Sequence, residues 1–180
     1  NNIEKIEIKM NGSKYKGLVL FDIDGTLTTG KENSEVVEYC INNDYAVGIC
    51  TAGSIYNMAN ILSFNWMPIN LYKFITSQRG IPFNNVASEI LNGQYNPTSY
   101  QNILPEKLDS MLRYGYLKGY ALRRTGMQLG IYDPANLYLC DDLEIFAKGV
   151  KAFNKNLNVI CSGEDCGGEL TVQQLKNHGI

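Results

Sequence analysis

Gly17-Leu18-Val19-Leu20-Phe21-Asp22-Ile23-Asp24-Gly25-Thr26-Leu27-Thr28 is the stretch on which the reading of this chain turns. Its first five residues are apolar without polar alternation, the pattern of a strand covered on both faces. The run then breaks into two carboxylates, two positions apart, and a glycine whose freedom at positive φ suits a tight turn. An apolar strand that empties into a polar turn is the opening of a βα unit.

Working outward from that stretch, the flanking patterns agree with it. Upstream, Ile6, Ile8 and Met10 alternate with Glu7 and Lys9, and Asn11-Gly12 follows as a two-residue hairpin signal. Downstream, Ser34 is placed to cap a helix whose buried face is Val36, Val37, Cys40 and Ile41. A second buried strand, Tyr45 to Cys50, stops at Thr51-Ala52-Gly53-Ser54, and a helix follows through Ile55, Met58 and Leu62. Leu71 to Thr76 reads as a further strand, and Val86 to Leu91 and Pro105 to Tyr114 read as helices. The spacing then predicts a helix from Lys118 to Leu129, a strand over Leu137 to Cys140 and a helix from Leu143 to Phe153. A short strand at Val159-Ile160 and a closing helix from Thr171 to Asn177 complete the chain. The expected fold class is α/β: a three-layer, doubly wound, mostly parallel sheet with an N-terminal β-hairpin strand. No repeat or linker divides it, so residues 1–180 are expected to form a single domain.

The composition fits that expectation. The 180 residues are 44% hydrophobic and 19% charged with a net charge of −2, ordinary values for a globular domain. A nucleic-acid partner normally requires clustered Lys and Arg, and the slightly acidic balance argues against one. No apolar run is long enough for a membrane segment, and Asn1 to Lys5 lack the profile of a signal peptide. The five cysteines, Cys40, Cys50, Cys140, Cys161 and Cys166, are odd in number; reduced thiols in a reducing, cytoplasmic compartment are the expectation. Cys161 and Cys166 are near enough in sequence to pair or to bind metal, but no second ligand pair accompanies them. His178 is the one histidine. Its place near the end of the chain removes His-based triads, and no Gly-x-Ser-x-Gly elbow or Walker loop is present.

Ligands of open α/β sheets bind outside the carboxyl ends of the strands. There this chain would gather Asp22 and Asp24, Thr51, and Asp141 with Asp142, and Lys118 opens the helix leading to the last pair. Four crowded carboxylates repel one another, and hard oxygen donors of this kind select Mg2+. Asp22 is the candidate nucleophile, splitting phosphomonoester hydrolysis into formation and breakdown of an aspartyl-phosphate. Asp24 is the candidate general acid and then base. Gly25 lets the backbone approach the phosphate, Thr51 and Lys118 hold its oxygens, and Asp141 and Asp142 hold the metal with Asp22.

The order Asp22-x-Asp24-Gly25-Thr26, then Thr51, then Lys118, then Asp141-Asp142 resembles the haloacid dehalogenase (HAD) superfamily of phosphatases, over Gly17 to about Ile160. The resemblance implies a Mg2+-dependent phosphohydrolase of the capless or small-lid type. It also implies that the backbone carbonyl of Asp24 joins the metal shell and that Ala52 follows Thr51 in the phosphate-binding loop. Two assignments stay open. Lys118 is preferred as the catalytic lysine for its distance from Asp141 and its place at a helix start, and Lys107, further upstream, competes with it. The second metal-side acid is Asp142 or Glu144, with Asp142 preferred.

Simpler readings weigh against each motif alone. Asp-x-Asp-Gly occurs in ordinary turns, Asp141-Asp142 could merely cap a helix, and Thr51 could be a strand-end hydroxyl. The combination in this order decides. Response-regulator receivers share the groups but place an acid pair after strand one and the phosphoacceptor Asp after strand three, with Thr and Lys later. Here Asp22-x-Asp24 comes first, Thr51 second and Asp141-Asp142 after Lys118, an order that disfavours them. A non-catalytic binding module of the same fold is the alternative from another class.

Within the resembling family, an acid two positions after the nucleophile points to a phosphatase. One helix and one strand use most of the chain between Asp22 and Thr51, which leaves no room for a cap there. The longer interval from Thr51 to Lys118 leaves room for a small lid within 79–104. An open site favours a bulky partner that itself excludes water, so a phosphorylated protein, with phosphotyrosine in scope, is the expected substrate. A small phosphometabolite or nucleotide is the runner-up. Arg79, Arg123 and Arg124 are candidates for substrate contact, weighed against a plain solvated helix face.

Overall fold

The computed structural model describes residues 15–27, 31–50 and 110–180. Four strands, β1 (Gly17–Phe21), β2 (Tyr45–Ile49), β3 (Leu137–Asp141) and β4 (Asn158–Cys161), form one sheet in the order β2-β1-β3-β4. Every pairing is parallel. The helices are α1 (Lys31–Asn42), α2 (Ser110–Gln128), α3 (Glu144–Phe153) and α4 (Val172–Asn177). The chain is therefore α/β, as expected. The hairpin of residues 6–12, the strand at 71–76, the helices proposed between 54 and 109 and the lid of 79–104 lie outside the described residues.

The apolar run of β1 is buried along its whole length, because it is a strand with a neighbour on each side and helices on both faces. Its side chains alternate. Val19 and Phe21 join Val36, Val37 and Cys40 of α1 and Leu175 of α4 in one core. Leu18 and Leu20 join Ala121 and Leu122 of α2 and Val150 of α3 in the other. From β1 the chain crosses by α1 to β2 on one side. It then returns over β1 to β3 on the opposite side and continues by α3 to β4. Right-handed crossovers in opposite directions place their helices on opposite faces, which is why the sheet has two cores.

Three local expectations are corrected. α1 begins at Lys31, so Ser34 lies within the helix and not at its start. Helix α2 runs unbroken from Ser110 to Gln128, so Lys118 stands mid-helix and not at a helix start. Gly115 and Gly119 lower helix propensity around the place where the sequence pattern suggests a break. Packing overrides that cost: Gly115 and Gly149 let α2 and α3 touch backbone to backbone. A methyl on Gly149 would lie 2.7 Å from Gly115 Cα and from the Tyr116 nitrogen.

The third correction concerns the cysteines. Cys161 and Cys166 are joined by a disulfide with Cα atoms 5.5 Å apart, whereas Cys40, Cys50 and Cys140 are buried thiols. The chain turns back after β4 through Gly163 and Gly168, both at positive φ and bridged antiparallel to each other, which brings the two sulfurs together. The expectation of reduced thiols thus fails for this pair. His178 is an exposed cap of α4, as its position suggested. Among the described residues no helix is long and apolar enough to cross a membrane.

Two measurements check this packing. Gly149→Ala should lower the unfolding free energy by about 1–3 kcal/mol, read by urea denaturation, because the overpacking cost exceeds the gain in helix propensity. Denatured but unreduced protein should present three titratable thiols, rising to five after reduction.

Candidate active site

Registry between β1 and β3 brings the first two carboxylates together. Phe21 lies opposite Cys140, and the ladder continues one step further through the Asp22 N–H, which donates to the Cys140 carbonyl at 2.9 Å. Asp22 and Asp141 are therefore next to each other at the carboxyl ends of adjacent strands. Face parity does the rest. Asp22 is two residues beyond Leu20 and Asp141 two beyond Leu139, so both side chains turn toward the α2 side of the sheet. β1 and β3 are also the pair at which the strand order reverses, the place where doubly wound sheets bind ligands.

Lys118 comes to meet them from α2. It stands on the stripe that carries Ala121, Leu122 and Thr125 into the core, so an ammonium occupies what would otherwise be an apolar position. Its Nζ donates to Asp22 Oδ1 at 2.9 Å and to Asp141 Oδ2 at 2.5 Å. Lys118 is 1% exposed, Asp141 0% and Asp22 6%, so this is a buried ion cluster and not a surface pair. Asp141 Oδ1 also accepts the Leu143 N–H at 3.1 Å, which fixes its carboxylate at the start of α3.

Asp142 completes the group. Carboxylate oxygens of Asp22, Asp141 and Asp142 all lie within 4.8 Å of one another. Gly25 adjoins Asp142 so closely that a side chain at Gly25 would collide with the Asp142 carboxylate, and its φ of +77° is one that L-residues rarely adopt. Gly25 belongs to a single π-helical turn, Ile23–Leu27, that carries the chain away from β1; such turns recur at functional sites. Gly25 and Asp142 line a groove of about 480 Å³ together with Glu164, Asp165 and Glu169.

The electrostatics follow from the count among the described residues: three carboxylates face one ammonium. Burial, and then the negative charge of Asp141, raise the Asp22 carboxyl above its ordinary value of 3.8, against the pull of Lys118. Asp141 is raised by burial too. Burial alone would push the Lys118 ammonium down, but Asp22 and Asp141 outweigh it and hold its pKa above the ordinary value. Oxygen-only donors with a surplus of negative charge fit a hard divalent cation. The thiols of Cys40 and Cys140 are poor rival nucleophiles, since burial pushes Cys40 up to about 12 and Cys140 well above its usual range.

Of the residues expected at the site, Asp22, Gly25, Lys118, Asp141 and Asp142 come together. Glu144, the alternative acid, is exposed and pairs loosely with Lys148 at 3.8 Å, pointing along α3 and not toward the cluster. Thr51, Ala52, Lys107, Arg79 and the side chain of Asp24 lie outside the described residues. Arg123 and Arg124 do not join the site. They lie further along α2, beside a separate groove with Tyr120, Met127 and Phe153, and Arg123 donates to the Tyr132 carbonyl. Sequence reasoning missed Phe146, whose ring centroid is 4.7 Å from Lys118 Nζ; nothing in a lone aromatic on a helix marks such a contact.

Replacing the ammonium tests the electrostatics. Lys118→Met removes the charge that lowers Asp22, so the folded-state carboxyl rises further above its unfolded value. A carboxyl with a raised folded pKa binds its proton more readily in the folded state, and stability falls as pH climbs through that range. The variant should lose about 3–5 kcal/mol at neutral pH, and its deficit should widen above about pH 8 in urea titrations without divalent ions, where the wild-type Asp22 carboxyl, raised to about 8, ionises and the variant's keeps its proton. A deficit constant with pH would contradict the charge cluster.

Comparison of the chain with models of known protein families, with curated proteins and with solved structures finds no match.

Proposed function

We propose that this chain is a Mg2+-dependent phosphomonoester hydrolase of the HAD type, working through an aspartyl-phosphate on Asp22. One observation carries the reading: the Lys118 ammonium bridges Asp22 and Asp141 at the β1/β3 switch point, with Asp142 in reach of both. A buried cluster of this kind adds little to stability, because apolar residues of similar volume usually serve a core as well or better. Its location at the carboxyl ends of the strands fits a reactive role.

The roles follow. Lys118 holds Asp22 Oδ1 and so orients the carboxylate. A carboxylate oxygen of Asp22 attacks phosphorus, forming the acyl-phosphate bond as the bond to the leaving oxygen breaks. Asp24 gives that oxygen its proton. Water then attacks the phosphorus of the acyl-phosphate, losing a proton to Asp24, and inorganic phosphate leaves with Asp22 restored. Thr51, Ala52 and Gly25 are the proposed phosphate-loop contacts, and Lys118 offsets charge on the transferring group. Asp22, Asp141 and Asp142, with the Asp24 carbonyl, would hold Mg2+, which supplies charge neutralisation for the carboxylates and the phosphate.

The proposed substrate is a phosphorylated protein, phosphotyrosine included. Between β1 and β2 the described residues hold one π-turn and one helix and no cap, and Asp142 borders an open groove. The acidic lining residues of that groove, Glu164, Asp165 and Glu169, are exposed and repel polyanions, which weighs against nucleic acid.

Turnover of a phosphopeptide and phosphometabolite panel, with and without Mg2+, tests the proposal. Mg2+-dependent phosphate release is expected, abolished in Asp22→Asn and slowed by about 10²–10⁴-fold in Asp24→Asn. Preference for small monoesters would move the assignment to a phosphometabolite. No release from any monoester by folded, Mg2+-treated protein would favour the non-catalytic module.

A further inference from the structure

Phe146 has no part in the roles just assigned, yet its ring faces the ammonium that organises them. Phe146 is 6% exposed and lies on the first turn of α3, just after Asp141-Asp142-Leu143. The Lys118 Nζ stands 4.7 Å from its ring centroid. An ammonium has three N–H donors. Among the described residues, carboxylates of Asp22 and Asp141 take two hydrogen bonds from it, the Cys50 sulfur lies near enough to act on its charge, and the ring faces it as a further neighbour.

The ring is held in this place by its surroundings. Gly115, one helical turn before Lys118 on the same side of α2, leaves no room for a Cβ, which would run into the Phe146 carbonyl and Cα. The absence of a side chain there lets the backbone of Phe146 press against α2. Tyr114, the position before Gly115, packs its ring 6.0 Å from that of Phe146. The aromatic face is thus fixed by α2 itself, the helix that carries the lysine.

The structure assigns Phe146 as a positioning residue for Lys118, holding the ammonium over Asp22 and Asp141 by a cation–π contact. A desolvated ammonium needs electron density around it, and the negative face of an aromatic ring supplies some without adding a further acid to the cluster. A leucine would fill similar space and supply none. The assignment rests on the proposed phosphatase reading for its catalytic consequence, but not for the contact itself.

Site-specific replacement of Phe146 by mono-, di- and trifluorinated phenylalanine separates electrostatics from packing, because fluorine drains the ring face while nearly preserving its shape. kcat for a phosphomonoester should fall stepwise with each fluorine, to on the order of tenfold below wild type, with KM little changed. Phe146→Tyr should retain near-wild-type kcat, and Phe146→Leu should lose as much as the most fluorinated ring. A second readout needs no turnover. The ε-methylene protons of Lys118, in lysine-labelled protein and assigned by their loss in Lys118→Arg, should resonate upfield of the other lysines. They should drift back with each fluorine as the ammonium leaves the ring. Kinetics flat across the series, or methylene protons at the ordinary lysine position in wild type, would overturn the assignment. Should wild-type protein hydrolyse no monoester, the phosphatase reading falls, and the proton shift and its drift alone decide for or against Phe146.

Discussion

Placing one lysine ammonium among buried carboxylates is the constraint on which the rest of this structure depends. Asp22, Asp141 and Lys118 are all buried, and each would cost several kcal/mol to desolvate alone. Together they form two short charge-assisted hydrogen bonds, which offset part of that cost. Asp142 adds another negative group at the open side, so the cluster leans anionic even with Lys118 in place.

The fold delivers this arrangement through parity and crossover direction rather than through loop conformation. Continuing β1 and β3 by one residue beyond their apolar runs sets Asp22 and Asp141 side by side. The two-residue period of a strand aims both at the same helix. Reversal of the crossover direction between β2 and β3 then brings α2 over that face. The glycine contact between α2 and α3 draws Phe146 against the helix that carries Lys118. A one-residue slip of β1 against β3 would separate the carboxylates, and a rotation of α2 by one position would bring Lys118 off its stripe.

What can be read in advance, and what cannot, follows from the same physics. Gly17 to Phe21 and Leu137 to Cys140 announce buried parallel strands because both faces are covered, and the acids at their ends are legible as a site because function sits at strand ends. The sequence favours Lys118 over Lys107 partly on a helix start that does not exist. Tertiary packing of Gly115 against Gly149 carries the helix through that point, and no local propensity reveals it. The Cys161–Cys166 bridge is hidden for a similar reason. It depends on a turn through Gly163 and Gly168 that brings the two sulfurs together, while the odd cysteine count points the other way. Phe146 is illegible because its partner is a side chain on another helix, distant in sequence.

Burial ties the proposed chemistry to charge balance. A carboxyl that carries its proton cannot attack phosphorus, and burial among Asp141 and Asp142 favours that protonated form of Asp22. Lys118 opposes it from one side, with a charge that cannot leave. On the other side stands Asp142, half-buried at the edge of the groove, where a cation can enter from solvent. If Asp22 is the nucleophile, its reactivity is set by how much positive charge is held against it, part permanent and part recruited. The same desolvation that makes the cluster unfavourable to bury then makes the nucleophile conditional. A version of this site with Asp22 exposed would fold with a smaller desolvation penalty and stay ionised, and it would lose the link between cation binding and reactivity that the proposed mechanism assigns to the buried one.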